Sequence, residues 1–190
     1  MSEEISRIAS MPQPQRALTF RFLAQPTDVN FGGKVHGGAV MKWIDQAAYA
    51  AAVSWSGAYC VTASLSGLTF VRPIRIGDLV TVQVTLVATG RSSMHFVVDV
   101  LARDLRVGED RLATSCVIVF VALDAADGRP VAVPNWQPIS AADQALAARA
   151  AELASLSKAM EQAVLVARTD QVNGPPVNPD SAGTETHLSG

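Results

Sequence analysis

The chain is poor in the features that would mark a nucleic-acid binder, a disulfide-stapled scaffold or a membrane protein. Its 15 lysines and arginines stand against 17 acids and are scattered without a basic block, so a nucleic-acid surface has no compositional support. No apolar run approaches the ~20 residues needed to cross a bilayer. The opening Met-Ser-Glu-Glu-Ile-Ser-Arg-Ile lacks the basic start and apolar stretch of a secretory signal. A soluble, cytoplasmic protein without a membrane partner is expected. The 2 cysteines, Cys60 and Cys116, each lie in a strand-like run, where a free thiol behaves as a small hydrophobe and an intracellular chain needs no disulfide. Neither has metal-ligand spacing to a histidine, so no metal site is expected. There is no internal repeat and no phosphate loop of the nucleotide-hydrolase kind.

What is present is a chain of 190 residues, 49% hydrophobic, enough for one domain with a real core and some extension. Residues 1–14 read as a polar leader and 15–137 as the domain. Within it, Arg16–Ala24 alternates as a first strand closed by Pro26, and a loop rich in Asn, Asp and Gly follows to Gly38. An apolar helix then runs to about Ser54, with Gly57 just past its end. Four strands are expected over Tyr59–Val71, Leu79–Thr89, Ser93–Asp104 and Arg111–Asp124. Short turns between such runs imply antiparallel pairing. Val80, Val82, Val84 and Leu86 alternate with Thr81, Gln83 and Thr85, as a strand with one buried face requires. The expected class is α+β: a curved antiparallel sheet of about five strands along a long apolar helix.

Trp43, Ile44, Ala47, Ala48, Ala51, Ala52 and Trp55 ring that helix almost completely, and one sheet cannot cover it on all sides, so a second copy of the chain is expected to finish the burial. Over 138–170 a C-terminal amphipathic helix is expected, opened by the capping pattern Ser140-Ala-Ala-Asp143 and striped by Leu146, Leu153, Leu156, Met160 and Val164. The segment 171–190, with Pro175, Pro176 and Pro179, is expected to be disordered.

The feature with most chemical content is Asp45, a lone carboxylate inside the apolar helix that begins after His36-Gly37-Gly38. A charge on a buried helix is costly unless paired, so Asp45 is either compensated, most simply by Lys42, or held for chemistry. Unpaired backbone N–H groups at the helix start suit a developing oxyanion about two turns away. A poorly solvated carboxylate acts as general base on water or attacks an acyl carbon itself, so acyl transfer fits. On spacing alone Asn30 is a turn-former, although its amide has the chemistry to hold a water; His36 is either a loop residue or part of the site; His95 reads as an ordinary strand residue.

Taken in order, Asn30, Val35-His-Gly-Gly38, Met41-Lys-Trp-Ile-Asp45, Val61-Thr-Ala-Ser-Leu-Ser-Gly-Leu-Thr-Phe70, Arg72-Pro73, Gly77-Asp78 and Gly90-Arg-Ser-Ser93 resemble the hotdog-fold acyl-CoA thioesterases. The likeness covers about residues 17–124 and is nearest to the cytosolic acyl-CoA hydrolase branch, with phenylacetate-pathway features in Val-His-Gly-Gly. It implies that Asp45 is the catalytic carboxylate and that Asn30 completes the site from the other protomer of a dimer. It further implies that the Gly38 amide is the oxyanion donor, with His36 and Gly37 beside the substrate. Coenzyme A would run along Gly67, Leu68 and Thr69, its phosphates near Arg91 and Ser92. Such a ligand accounts for Arg72, Arg75 and Arg91 as local positive charge. Two departures stand out: many relatives carry aspartate at the position of Ser66, and His36 replaces an aromatic residue.

The expected activity is hydrolysis of an acyl-coenzyme A thioester, with no cofactor beyond the substrate, in a homo-oligomer built from dimers as a tetramer or hexamer. The alternatives are a hydratase or dehydratase pairing Asp45 with His36 and a non-catalytic acyl-CoA-binding module.

Overall fold

The computed structural model describes the backbone of residues 15–172 and the side chains of 15–160 and 162–165. The leader 1–14 and all but two residues of the tail 171–190 lie outside the described residues. The order is β1 (Ala17–Leu23), a 3-10 turn (Pro26–Asp28), α1 (Gly37–Ser56), β2 (Tyr59–Phe70), β3 (Leu79–Thr89), β4 (Ser93–Arg103), β5 (Asp110–Leu123) and α2 (Ala141–Val172). Every strand was expected at these places to within two residues, because β-branched, alternating runs bounded by turn residues leave few other choices. Gly57 ends α1 in the left-handed conformation, φ 67°, its N–H returning to the Val53 carbonyl.

The five strands form one antiparallel sheet in the order β1-β3-β4-β5-β2. β3, β4 and β5 make a meander, but β2 does not pair with β3 as the short-turn argument implies: it lies on the far side of β5, from Tyr59↔Leu123 to Phe70↔Thr114. The reason is the connection. Residues 71–78 are too long for a tight hairpin and carry Pro73, and Asp78 pins their end by accepting the Arg75 N–H at 2.8 Å. β2 therefore occupies an edge.

α1 packs on one face of the sheet and touches all five strands. Val80, Val82, Val84 and Leu86 point into this core and are at most 1% exposed. The buried helix residues are Val40, Ile44, Ala47, Ala48, Ala51, Ala52 and Trp55, and Trp43 stacks edge-on against Phe22 at 4.9 Å. These residues form a band down one side of α1, not the ring expected. Met41, Lys42, Asp45, Gln46 and Tyr49 are exposed on the other side, since a 3.6-residue period sends positions 41, 45 and 49 away from 44, 48 and 52.

The other face of the sheet carries a smaller apolar cluster, in which Val87, Val97 and Val117 pack against Leu146, Ala150 and Leu153 of α2. α2 starts on a reciprocal cap: the Asp143 N–H donates to Ser140 Oγ at 3.1 Å and the Ser140 N–H to the Asp143 carboxylate at 3.4 Å. The chain divides into two compact units inside this helix, after Ser155. In the second unit Leu156, Met160, Val164 and Leu165 are 53–70% exposed. Both cysteines are free and buried; burial pushes the Cys60 thiol up and, with Asp99 nearby, the Cys116 thiol up to about 12.

His95 lies on β4 opposite Val119 and is half-buried, which lowers its pKa below the ordinary 6.5. The unfolded chain then takes up a proton at a pH where the folded chain does not, so stability rises with pH through that window and is lost on acidification below about 6.5. His95→Gln is expected to flatten this acid limb, measured as Tm between about pH 7.5 and about pH 5.5.

Candidate active site

The loop before α1 is a small ordered hairpin built on Asn30. The Asn30 carboxamide oxygen accepts the Gly32 N–H at 2.9 Å and the Lys34 N–H at 3.3 Å, the Asn30 N–H donates to the Lys34 carbonyl, and Gly33 takes the positive φ of 70° that closes the turn. Val35 is tied to Ile74 by a 3.0 Å backbone bond, and Lys34 bridges to Arg75. The loop is thus braced against the 71–78 connection. Asn30, Lys34, Gly37, Phe70 and Arg72 line a groove of about 300 Å³. It brings together two predicted site residues and two cations, with Asn30 exposed and serving as the turn-former that spacing favoured.

His36 has a definite structural task. It is the N-cap of α1, and its Nδ1 accepts the Gly38 N–H at 2.9 Å. A neutral imidazole that accepts at Nδ1 carries its proton on Nε2. In the single chain the amide expected to receive an oxyanion is therefore engaged by its own cap. Gly37 cannot carry a side chain without crowding: a Cβ there would sit 3.3 Å from Phe70 Cζ.

Asp45 is exposed in the single chain rather than withheld from water, because the apolar neighbours that suggested burial turn toward the sheet while it turns away. Its partner is not Lys42. Thr62 Oγ1 donates to Asp45 Oδ1 at 2.5 Å, a short, charge-assisted bond that fixes the carboxylate's orientation. Thr62 sits where the β2–β5 register slips between Thr62 and Ser64, and such a bulge re-aims a side chain. Residue-by-residue reading did not single Thr62 out. The pair is 17 residues apart and meets only because β2 runs back along α1.

The remaining predicted residues are separated within one chain. The second slip in the register leaves Gly67 and Leu68 without partners on β5, between Ser66↔Val117 and Thr69↔Ser115. Arg91 and Ser92 lie at the β3–β4 turn, where their carbonyls accept from Val133 and Ala122. Ser93 aligns through Val121 with Val61, so Gly67 is six residues further along β2, about 20 Å at strand rise. Ser66 is buried.

The chain matches the family model of the thioesterase superfamily over residues 32–109. It is 32% identical over 124 residues to the acyl-CoA thioester hydrolase YciA of Escherichia coli, covering 64% of this chain and 93% of that one. Its fold superposes on the acyl-CoA hydrolase of Staphylococcus aureus, solved with butyryl coenzyme A, coenzyme A and coenzyme A disulfide, with TM-score 0.73, 27% identity and coverage of 83% and 96%. That enzyme has also been solved with an asparagine, an aspartate or a threonine replaced by alanine, at successive spacings of 15 and 17 residues. Asn30, Asp45 and Thr62 have the same spacings. The hexameric thioesterase y2039 of Yersinia pestis matches with TM-score 0.58, 31% identity and coverage of 66% and 100%. The sheet, its long helix and these likenesses agree: this chain belongs to the thioesterase superfamily, among its hotdog-fold acyl-CoA hydrolases.

Proposed function

We propose that the protein hydrolyses acyl-coenzyme A thioesters to free acid and thiol at Asp45. The observation that carries the reading is the Thr62–Asp45 bond, which holds one carboxylate oxygen and leaves the other open on the solvent side of α1. As general base, Asp45 takes a proton from water as the oxygen attacks the thioester carbon; as nucleophile it forms an anhydride that water then opens. In either route the C–S bond breaks and the thiol leaves with a proton. The reaction asks for no cofactor.

The oxyanion falls to the start of α1. For the Gly38 N–H to donate to it, the His36 ring must turn off the amide. That costs one neutral hydrogen bond, ~1 kcal/mol, against the ~3–4 kcal/mol that an oxyanion donor contributes. The exchange is favourable. The hydratase alternative would use His36 as the proton-transfer partner of Asp45, and the reaction products separate it from hydrolysis.

Asp45, Met41 and Tyr49 face outward, and β2 is an edge strand of the sheet formed by the described residues. We read these together as the seam with a second copy, across which Asn30 of one protomer holds water for Asp45 of the other. The hexameric relative supports assembly of such dimers into a hexamer. Buried free thiols accord with a cytoplasmic location.

A panel of acyl-CoAs with thiol detection tests the activity, and loss of enoyl absorbance without thiol release would favour the hydratase. On the best substrate Thr62→Val is expected to lower kcat about tenfold, with the fold intact, because the carboxylate loses its orienting donor. A rate within twofold of the parent would remove Thr62 from the site.

A further inference from the structure

The groove beside the Asn30 loop has walls of two kinds. Its floor is apolar: Val35, Val40, Ile74 and Ala113 line it and are each at most 9% exposed. Its rim is cationic. Lys34 and Arg72 stand there, both exposed, and among the described residues no ion pair engages either of them and no acidic side chain lines the groove. An apolar trough that ends in unpaired cations is complementary to a short hydrocarbon chain that ends in an anion. The groove also adjoins the reaction centre described above. Gly37, which lines it, directly precedes the Gly38 amide, and Asn30 forms part of its wall.

We propose that this groove takes the acyl group of the substrate and selects one with a carboxylate at its far end, an ω-carboxyacyl-coenzyme A, which Arg72 and Lys34 pair with; the proposal rests on the acyl-CoA hydrolase reading above. The methylenes of such a chain leave water by lying on the apolar floor. Arg72 is the stronger partner, because its planar guanidinium meets a carboxylate with two parallel hydrogen bonds, whereas Lys34 adds a point charge. Distance separates this anion from the phosphates of the same substrate. From a thioester carbon at Gly38, a five-carbon acyl chain reaches ~5 Å and the first phosphate of an extended coenzyme A ~15 Å, at ~3.4 Å for every three chain bonds. A groove of about 300 Å³ that begins at Gly37 accommodates the first span and not the second. Arg72 is thereby assigned to the acyl end and not to the polyphosphate.

The test compares glutaryl-CoA with pentanoyl-CoA, which carry acyl chains of the same length on the same coenzyme A and differ only in the terminal carboxylate. The parent is expected to show a kcat/KM about tenfold higher for glutaryl-CoA, the size of one charge-assisted contact. Arg72→Ala should remove most of that preference, Lys34→Ala a smaller part, and Arg72→Lys should retain more of it than Arg72→Ala. A parent without the preference, or a preference that survives when both cations are replaced by alanine, overturns the proposal. So does an equal loss on both thioesters in Arg72→Ala, which would put the guanidinium on the phosphates they share. Should neither thioester be hydrolysed, the hydrolase reading fails separately. Calorimetric binding of the two intact thioesters then decides: about a tenfold tighter Kd for glutaryl-CoA that Arg72→Ala abolishes supports the groove, and equal binding of the two refutes it.

Discussion

Replacing Asp45 by alanine is expected to lower kcat for acyl-CoA hydrolysis by about a thousandfold while leaving the protein folded. Transfer of a proton to a positioned base contributes roughly 10²–10⁴ in rate, and a missing nucleophile costs at least as much. The side chain is exposed, and its single described partner is the Thr62 hydroxyl, which water satisfies when the carboxylate goes. The stability change should therefore stay within about 0.5 kcal/mol, as for surface substitutions generally. Asp45→Asn sharpens the test. It keeps an oxygen to accept from Thr62 and matches the shape, yet cannot take a proton, so it should be nearly as inactive as the alanine variant. Thiol release under saturating substrate, with Tm in parallel, is the measurement. A variant that keeps more than about a tenth of the parent rate moves the chemistry elsewhere.

The second large effect is on stability and lies at Asp78, whose side chain is 3% exposed. Its Oδ2 accepts the Arg75 N–H at 2.8 Å and pairs with the Arg111 guanidinium. Asp78→Ala leaves a mostly buried cation and a backbone donor without this acceptor, for which a loss of about 3–5 kcal/mol is expected. That is a large part of the ~5–15 kcal/mol that holds a domain together, and corresponds to a fall in Tm of about 10 °C. The consequence reaches the site. Arg75 bridges Lys34, and the neighbouring Ile74 carbonyl holds Val35, so loosening the 71–78 connection unseats the Asn30 loop. Asp78→Asn, which retains an acceptor for Arg75, should be milder. A Tm equal to the parent's in Asp78→Ala would mean that Arg111 and the connection find other partners.

The strands were legible because their cause is local. Val80, Val82, Val84 and Leu86 alternate against polar neighbours, and that period is written in consecutive residues. The same holds for the left-handed Gly57 and the Ser140–Asp143 cap, each decided within a few residues. Asp45 was legible as an anomaly on an apolar helix, but its environment was misread. Composition around a helical residue does not say which side of the helix faces the sheet when the buried band is made of alanines.

From the amino-acid order alone came the elements, the order of the site residues and the family they resemble, since periodicity, turn chemistry and motif spacing act over short stretches of chain. Pairing across long stretches was settled only in three dimensions. β2 beside β5 rather than β3, Thr62 against Asp45, His36 folded onto Gly38, and Arg72 in one groove with Gly37 all depend on which surfaces meet once the sheet twists around α1. Each of these contacts is chosen by the burial of other residues, and so leaves no periodic trace at the positions that make it.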